Sequence, residues 1–126
     1  MNIQLQSWEI KNLSLEAVHE TQEKKQTFRF SCGNGLSESD ERVFFVGFKV
    51  VLNDSKFNLR LEMHFSFETD EPLTDEFVNS PFLKVNAPAI AFPYLRSYIS
   101  NLTMQSGFGT VILPSVNFVK IANSQQ

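Results

Sequence analysis

The chain is poor in the residues that carry chemistry. Its 126 residues include one cysteine and two histidines. Cys32 alone cannot close an internal disulfide, so a cytoplasmic location is the expectation. No Cys/His pair has metal-ligand spacing and no Gly-rich phosphate loop occurs, so no metal and no cofactor is expected. Basic runs are missing too, and the formal net charge is -3. Neither nucleic acid nor an anionic membrane surface is therefore an expected partner. The N-terminal MNIQLQSWEIKN lacks both the basic and the apolar part of a signal peptide. No stretch approaches the ~20 apolar residues of a membrane span, so no membrane insertion is expected. Asn12-Leu13-Ser14, Asn53-Asp54-Ser55 and Asn101-Leu102-Thr103 match the glycosylation pattern, but without a secretory signal they read as chance matches.

What is abundant is phenylalanine, with 13 residues in a chain that is 42% hydrophobic. That fits one compact domain over residues 1–126 with a packed core. A small domain leaves much of its surface exposed, so some of these rings are expected to line a groove or a subunit contact.

The first two-thirds alternate as strands do. Phe57, Leu59, Leu61, Met63, Phe65 and Phe67 fall on one face, with Asn58, Arg60, Glu62, His64 and Ser66 on the other. Arg42 to Leu52 has apolar groups on both faces and reads as a central strand, joined to the next by a turn at Asn53-Asp54-Ser55-Lys56. Thr27 to Cys32 puts Phe28, Phe30 and Cys32 on one face, and Gly33-Asn34-Gly35 is expected to break it. Ile3 to about Leu15 changes phase, which predicts a bulge in or near Ser7 to Asn12. Glu20 to Gln26 reads as a charged loop. Four successive strands predict an antiparallel meander in an α+β fold.

Beyond Pro72, Thr74 is placed to cap one helical turn with Phe77 pointing inward. Pro81 and Pro88 are expected to hold an extended crossover. A main helix of about 14 residues is expected to start at Pro93 and stop at Gly107, packing on one face of the sheet. Its apolar stripe is Tyr94, Leu95, Tyr98, Ile99 and Leu102; Arg96, Ser97, Ser100, Asn101 and Thr103 form the opposite face. Val111 to Leu113 and Val116 to Ile121 are expected to return to the sheet, and Asn123 to Gln126 to fray.

Catalysis has little to build on. Cys32 and His64 could form a dyad of a hydrolase, but Cys32 continues an apolar face, where a thiol behaves as a small hydrophobe. No third orienting group or nucleophile motif accompanies them. Tyr94 and Tyr98, one turn apart, read either as sheet packing or as a sticky face for a peptide or subunit. Glu9, Glu16, Glu62 and Glu68 read either as a recognition patch or as charges that keep one sheet face soluble.

Phe92-Pro93-Tyr94-Leu95-Arg96, followed by Gly107-Phe108 and by Leu113-Pro114-Ser115-Val116-Asn117-Phe118, resembles the C-terminal half of the SecB family of bacterial protein-export chaperones. The family has Phe-Pro-Tyr-Ala-Arg and Ala-Pro-Val-Asn-Phe at these places. Leu13-Ser14-Leu15-Glu16-Ala17 is similar to the family's first-strand Ile-Ser-Phe-Glu-Ala. The resemblance implies a four-stranded antiparallel sheet with helices on one side, assembled as a homotetramer, a dimer of dimers. It implies a holdase without enzymatic activity or cofactor, which binds unfolded or preprotein chains in apolar grooves for protein export. Phe28, Phe30 and Cys32 fall on the family's groove-lining strand, with Phe77, Phe82, Tyr98 and Leu102 as the remaining client-binding walls. Glu16 falls at a position that contacts the translocation ATPase SecA. The family continues past Val-Asn-Phe into a long helix and an acidic tail, whereas eight residues follow Phe118 here. Asn12 and Asn58 or Arg60 stand where the family carries acids. Shortened relatives serve one partner, an antitoxin of a toxin–antitoxin system, and that is the alternative expectation.

Overall fold

The computed structural model describes residues 2–19 and 25–124. Strands β1 (Ile3–Ala17), β2 (Thr27–Leu36), β3 (Val43–Asn53) and β4 (Phe57–Thr69) form one antiparallel sheet in the order β1-β4-β3-β2. Helices α1 (Asp75–Val78), α2 (Ala87–Gln105) and α3 (Phe118–Ser124) follow, with a π-helical turn at Phe82–Asn86.

Period-two alternation dictates the inner face of the sheet. Every second residue of β4 from Phe57 to Thr69 is buried, and so are Phe44, Val46, Phe48, Val50 and Leu52 of β3. The outward residues of β3 and β4 are half-buried or exposed. The turn between them is held by Asp54, whose Oδ1 accepts the Lys56 N–H at 3.0 Å.

The meander holds for β2, β3 and β4 but not for β1, which lies beside β4. Nine residues, 18–26, separate β1 from β2. They can span ~30 Å extended, against about 14 Å for three strand spacings. The gain from crossing is the long partner: β1 pairs with β4 from Ile3↔Thr69 to Ala17↔Phe57. Register shifts between Leu5 and Ser7 and between Ile10 and Asn12 place extra residues at Gln6 and Lys11. These bulges explain the phase change and keep Leu5, Trp8, Ile10, Leu13 and Leu15 on the inner side, opposite the inward-facing residues of β4. Of the charged stretch expected as a loop, residues 20–24 lie outside the described residues.

Gly33 and Gly35 do not end β2. The strand runs through both to Leu36, with Gly33 opposite Gly47 and Gly35 opposite Phe45. Ladder hydrogen bonds to a central neighbour outweigh the entropy that glycine costs in a strand.

Thr74 caps α1 as expected, accepting the Phe77 N–H at 3.1 Å. The crossover differs from expectation. Pro81 is helical (φ -59°, ψ -24°) rather than extended, and the chain turns helical from Phe82. α2 starts at Ala87 with Pro88 in its first turn, so Pro93 lies inside the helix. Proline within a helix deprives the carbonyl four residues earlier of its donor. That residue is Ala89, which is exposed, so water can take the bond. Burial of Leu83, Ala87, Ala91 and Phe92 offsets the remaining cost.

α2 buries Ala91, Leu95, Ile99 and Thr103 at four-residue spacing. Thr103, on the predicted solvent face, is fully buried. Its hydroxyl donates to the Ile99 carbonyl at 2.9 Å and accepts the Val111 N–H at 3.1 Å. Ser100, half-buried, donates to the Val111 carbonyl at 2.6 Å. These two side chains hold the segment after α2 against the helix, with Leu113 buried below it. Val116 to Ile121 is partly helical, because α3 begins at Phe118 and includes Asn123 and Ser124. Gln125 and Gln126 lie outside the described residues.

Candidate functional site

α2 crosses the inner face of the sheet and leaves an apolar flank on each side. On the β2 flank the rings form a continuous cluster. Phe30 meets Phe28 at 6.0 Å, Phe48 at 5.4 Å, Phe92 at 5.7 Å and Phe118 at 6.1 Å. Phe48, Phe92 and Phe118 are buried, whereas Phe28 and Phe30 are half-exposed along the sheet edge. Phe118 also packs on Phe92 at 5.6 Å, so α3 roofs the middle of this flank. Most of these contacts are edge-on or tilted, the arrangement the ring quadrupole favours.

Cys32 continues this flank. A small cleft of about 130 Å³ separates it from Lys84, Pro88, Phe118 and Ile121. Burial pushes its thiol up to about 12, so the nucleophilic thiolate is scarce at neutral pH. His64 faces the other side of the sheet, across from Gly47 and bonded to Glu62 at 2.7 Å. The backbone of the sheet separates the two groups, which removes the dyad a hydrolase would need. Among the described residues no three His, Cys, Asp or Glu side chains are placed to hold a metal ion. Among them also, no helix is long and apolar enough to cross a membrane.

Phe77 and Phe82 form a separate pair, 5.7 Å apart. Phe77 packs at a tilt on Phe44, with ring centroids 5.8 Å apart, near the Leu36 end of β2. Phe28 is at the opposite end of that strand, across from Leu52. The expected walls therefore lie at the two ends of one flank, with Cys32 and the Phe118 roof between them.

Tyr98 and Leu102 belong to the other flank. Helical spacing puts them in line with Tyr94, and Tyr94 meets Trp8 of β1 at 4.7 Å. Here lie apolar residues that the sequence alone does not mark as a site. Trp8, Ile10 and Leu13 face the same side as buried Phe65, Met63 and Leu61 but remain 47%, 38% and 40% exposed. Ile90 and Tyr94 of α2 are exposed beside them. Their signal was the phase of β1 once its bulges are counted, because the alternation alone assigns no consistent inner face.

Glu16 is on the outer face of β1, three strand positions from the Phe28, Phe30 and Cys32 strand. It lines a polar depression of about 460 Å³ with Ser14, Lys25, Asp54, Asn58 and Arg60. A second outer depression of about 480 Å³ exists because Gly33, Gly35 and Gly47 leave the sheet backbone bare beside Phe45 and His64. A Cβ at Gly47 would come within 3.1 Å of His64 Nε2, so the imidazole rests directly on this glycine.

The family model described as preprotein translocase subunit SecB matches residues 1–126. The protein-export protein SecB of Anaplasma phagocytophilum is 38% identical over 61 residues, which cover 48% of this chain and 38% of that protein. The SecB of Nitrosomonas eutropha is 48% identical over 46 residues, covering 36% of this chain and 29% of that protein. The matched stretch thus spans well under half the length of these curated relatives. Among solved structures, the fold is similar to a Mycobacterium tuberculosis SecB-like chaperone in complex with a ChAD peptide from an antitoxin. The TM-score is 0.69 at 15% identity, over 91% of this chain and 88% of that one. A protein of unknown function from Streptococcus agalactiae is similar too, with a TM-score of 0.59 at 11% identity over 91% of this chain and 98% of that one. With a four-stranded antiparallel sheet, a main helix on its inner face and a family match along its entire length, the chain belongs to the SecB family.

Proposed function

We propose that this chain is a holdase that binds unfolded segments of other polypeptides, acting in the cytoplasm without cofactor or enzymatic reaction. The observation that carries the reading is the incompletely covered inner face, with exposed or half-exposed apolar side chains on both sides of α2. The two flanks divide the work. The β2 flank, with Phe28, Phe30 and Cys32 along the edge and Phe77 and Phe82 at the far end, takes clients. The β1 flank, with Trp8, Ile10, Leu13 and Tyr94, takes a second copy of the chain in a homo-oligomer, with Tyr98 and Leu102 behind it. Apolar anchors supply client affinity, and the outer edge of β2, which pairs with no strand among the described residues, suits an extended chain.

Chemically reduced, permanently unfolded α-lactalbumin should stay soluble in the presence of near-stoichiometric amounts of this protein, read by light scattering. Unchanged aggregation would end the reading. Phe28→Ser is the informative variant. Phe28 touches the ring cluster only through Phe30 among the described rings, so the core survives its loss. Client affinity is expected to fall about tenfold, equivalent to about 1.4 kcal/mol, with little change in the thermal midpoint. Client affinity equal to that of the parent protein would remove Phe28 from the groove.

A second reading is a chaperone dedicated to one partner such as an antitoxin. It is favoured by the similarity in fold to a SecB-like chaperone bound to an antitoxin peptide. Binding of one partner peptide at least a hundredfold tighter than reduced α-lactalbumin (about 2.7 kcal/mol) would select it. Contact with SecA through Glu16 belongs to the export form of the first reading. Arg60 and Lys25 share the depression with Glu16 and dilute its negative charge.

A further inference from the structure

The outer face of the sheet carries a row of cations that the holdase reading does not use. Arg29 of β2, Val51 of β3 and Arg60 of β4 are successive partners across three strands. Lys49, two residues from Val51, lies opposite Ser31 and Glu62 in the adjacent row. All three cations are exposed, while Val51 between them is half-buried. Strand spacing puts the Cα atoms of Arg29 and Arg60 about 10 Å apart. Lys25 adds a fourth cation, lining the polar depression with Arg60. The sign of this patch is opposite to that of the whole chain, which is -3.

The acids nearby are largely committed. Glu62 bonds His64 at 2.7 Å and lies 3.9 Å from Lys49. Asp54 accepts from the Gln26 amide at 3.1 Å and from the Lys56 N–H at 3.0 Å. Glu16 is one row further on, opposite Asn58, and marks the border of the patch. No acid within ion-pair distance of Arg29 or Arg60 occurs among the described residues. A guanidinium holds a carboxylate through two parallel hydrogen bonds, and Val51 offers apolar contact to a side-chain stem between the two forks.

From this charge complementarity we propose that the outer face is a docking site for an acidic, extended peptide segment of a partner protein, held by Arg29 and Arg60 with Lys49 beside them. In such a segment, same-side carboxylates recur about every 7 Å, and the long arginine side chains make up the difference from the roughly 10 Å between their Cα atoms. The site is on the face opposite the client flanks and does not depend on them.

The test is fluorescence anisotropy with a labelled (Glu-Val)₄ peptide, with (Lys-Val)₄ as control. Saturable binding of the glutamate peptide is expected at low salt and should weaken as salt rises. The lysine peptide should not bind. The double variant Arg29→Gln/Arg60→Gln should bind at least about tenfold more weakly, the scale on which loss of charge-assisted hydrogen bonds acts. Its thermal midpoint should match that of the parent, because both residues are exposed, and its suppression of α-lactalbumin aggregation should be intact. The proposal is overturned if the glutamate peptide does not saturate, if the double variant retains full affinity, or if the lysine peptide binds equally. It is also overturned if a single-stranded oligonucleotide of the same charge binds tighter through the same two arginines. Because the aggregation assay reads the opposite face, failure here and failure of the holdase reading are separately visible.

Discussion

Phe48→Ala is expected to lower the thermal midpoint by on the order of 10–20 °C, or to prevent folding at 37 °C altogether. Phe48 is fully buried at the centre of the inner face. Its ring meets Phe30 at 5.4 Å, Phe65 at 5.6 Å, Phe92 at 6.1 Å and Phe118 at 6.3 Å. It therefore joins four elements, β2, β4, α2 and α3. Truncation removes the transfer free energy of the ring and leaves a cavity, together about 3–5 kcal/mol. A domain of this size has a total stability of about 5–15 kcal/mol. Phe48→Leu, which keeps most of the volume, should cost much less. Thermal unfolding followed by circular dichroism distinguishes the cases. A midpoint within about 3 °C of the parent for Phe48→Ala would contradict the packing described here. The same ring cluster explains why Phe30 is a poor probe of client binding. A defect there would combine lost client contact with loosening of the core, whereas Phe28 reports the groove alone.

The pattern of what the sequence reveals and conceals follows from the range of the interactions. β4 is legible because one face is buried along its whole length, so burial writes the period directly into the residues. The Thr74 cap and the Asn53–Lys56 turn are legible because their bonds close within three residues. The start of α2 is not. Pro93 satisfies a local rule for a first helical position, but Ala87, Ala91 and Leu83 pack on the core and bring the helix start back to Ala87. β2 passes through two glycines for the same kind of reason: what holds them is the ladder to Gly47 and Phe45 on β3, across the hairpin rather than within the strand. The position of β1 beside β4 is also a long-range outcome, which no local pattern encodes. The candidate site inherits these limits. Phe28, Phe30 and Cys32 are readable as one strand face. That Tyr98 and Leu102 belong to the opposite flank depends on where α2 crosses the sheet, and Trp8, Ile10 and Leu13 emerge as a surface only once the bulges at Gln6 and Lys11 set their direction.

That surface leads to the second large effect. The double variant Trp8→Glu/Leu13→Glu is expected to convert a homo-oligomer into a 14.4 kDa monomer. Trp8 and Leu13 face the inner side of the sheet beside buried Phe65 and Leu61, yet are 47% and 40% exposed. Trp8 already meets two rings within the chain, Phe65 at 5.9 Å and Tyr94 at 4.7 Å, the latter itself 44% exposed. A wide apolar flank of this kind, continuous with the core, is what a subunit interface looks like before its partner is in place. Two carboxylates there must either remain in water or be buried without a counter-charge, and the second costs several kcal/mol per ion. Association would be abolished while the monomer keeps its core, because both side chains are at the rim. Sedimentation at micromolar concentration reads the mass, and circular dichroism checks the fold. The parent should sediment as a multiple of 14.4 kDa and the variant as a single chain. A parent that is monomeric under these conditions would reassign the flank to clients, and the double variant should then fail to keep α-lactalbumin soluble. A variant that keeps both the parent's mass and its holdase effect would remove β1 from either role.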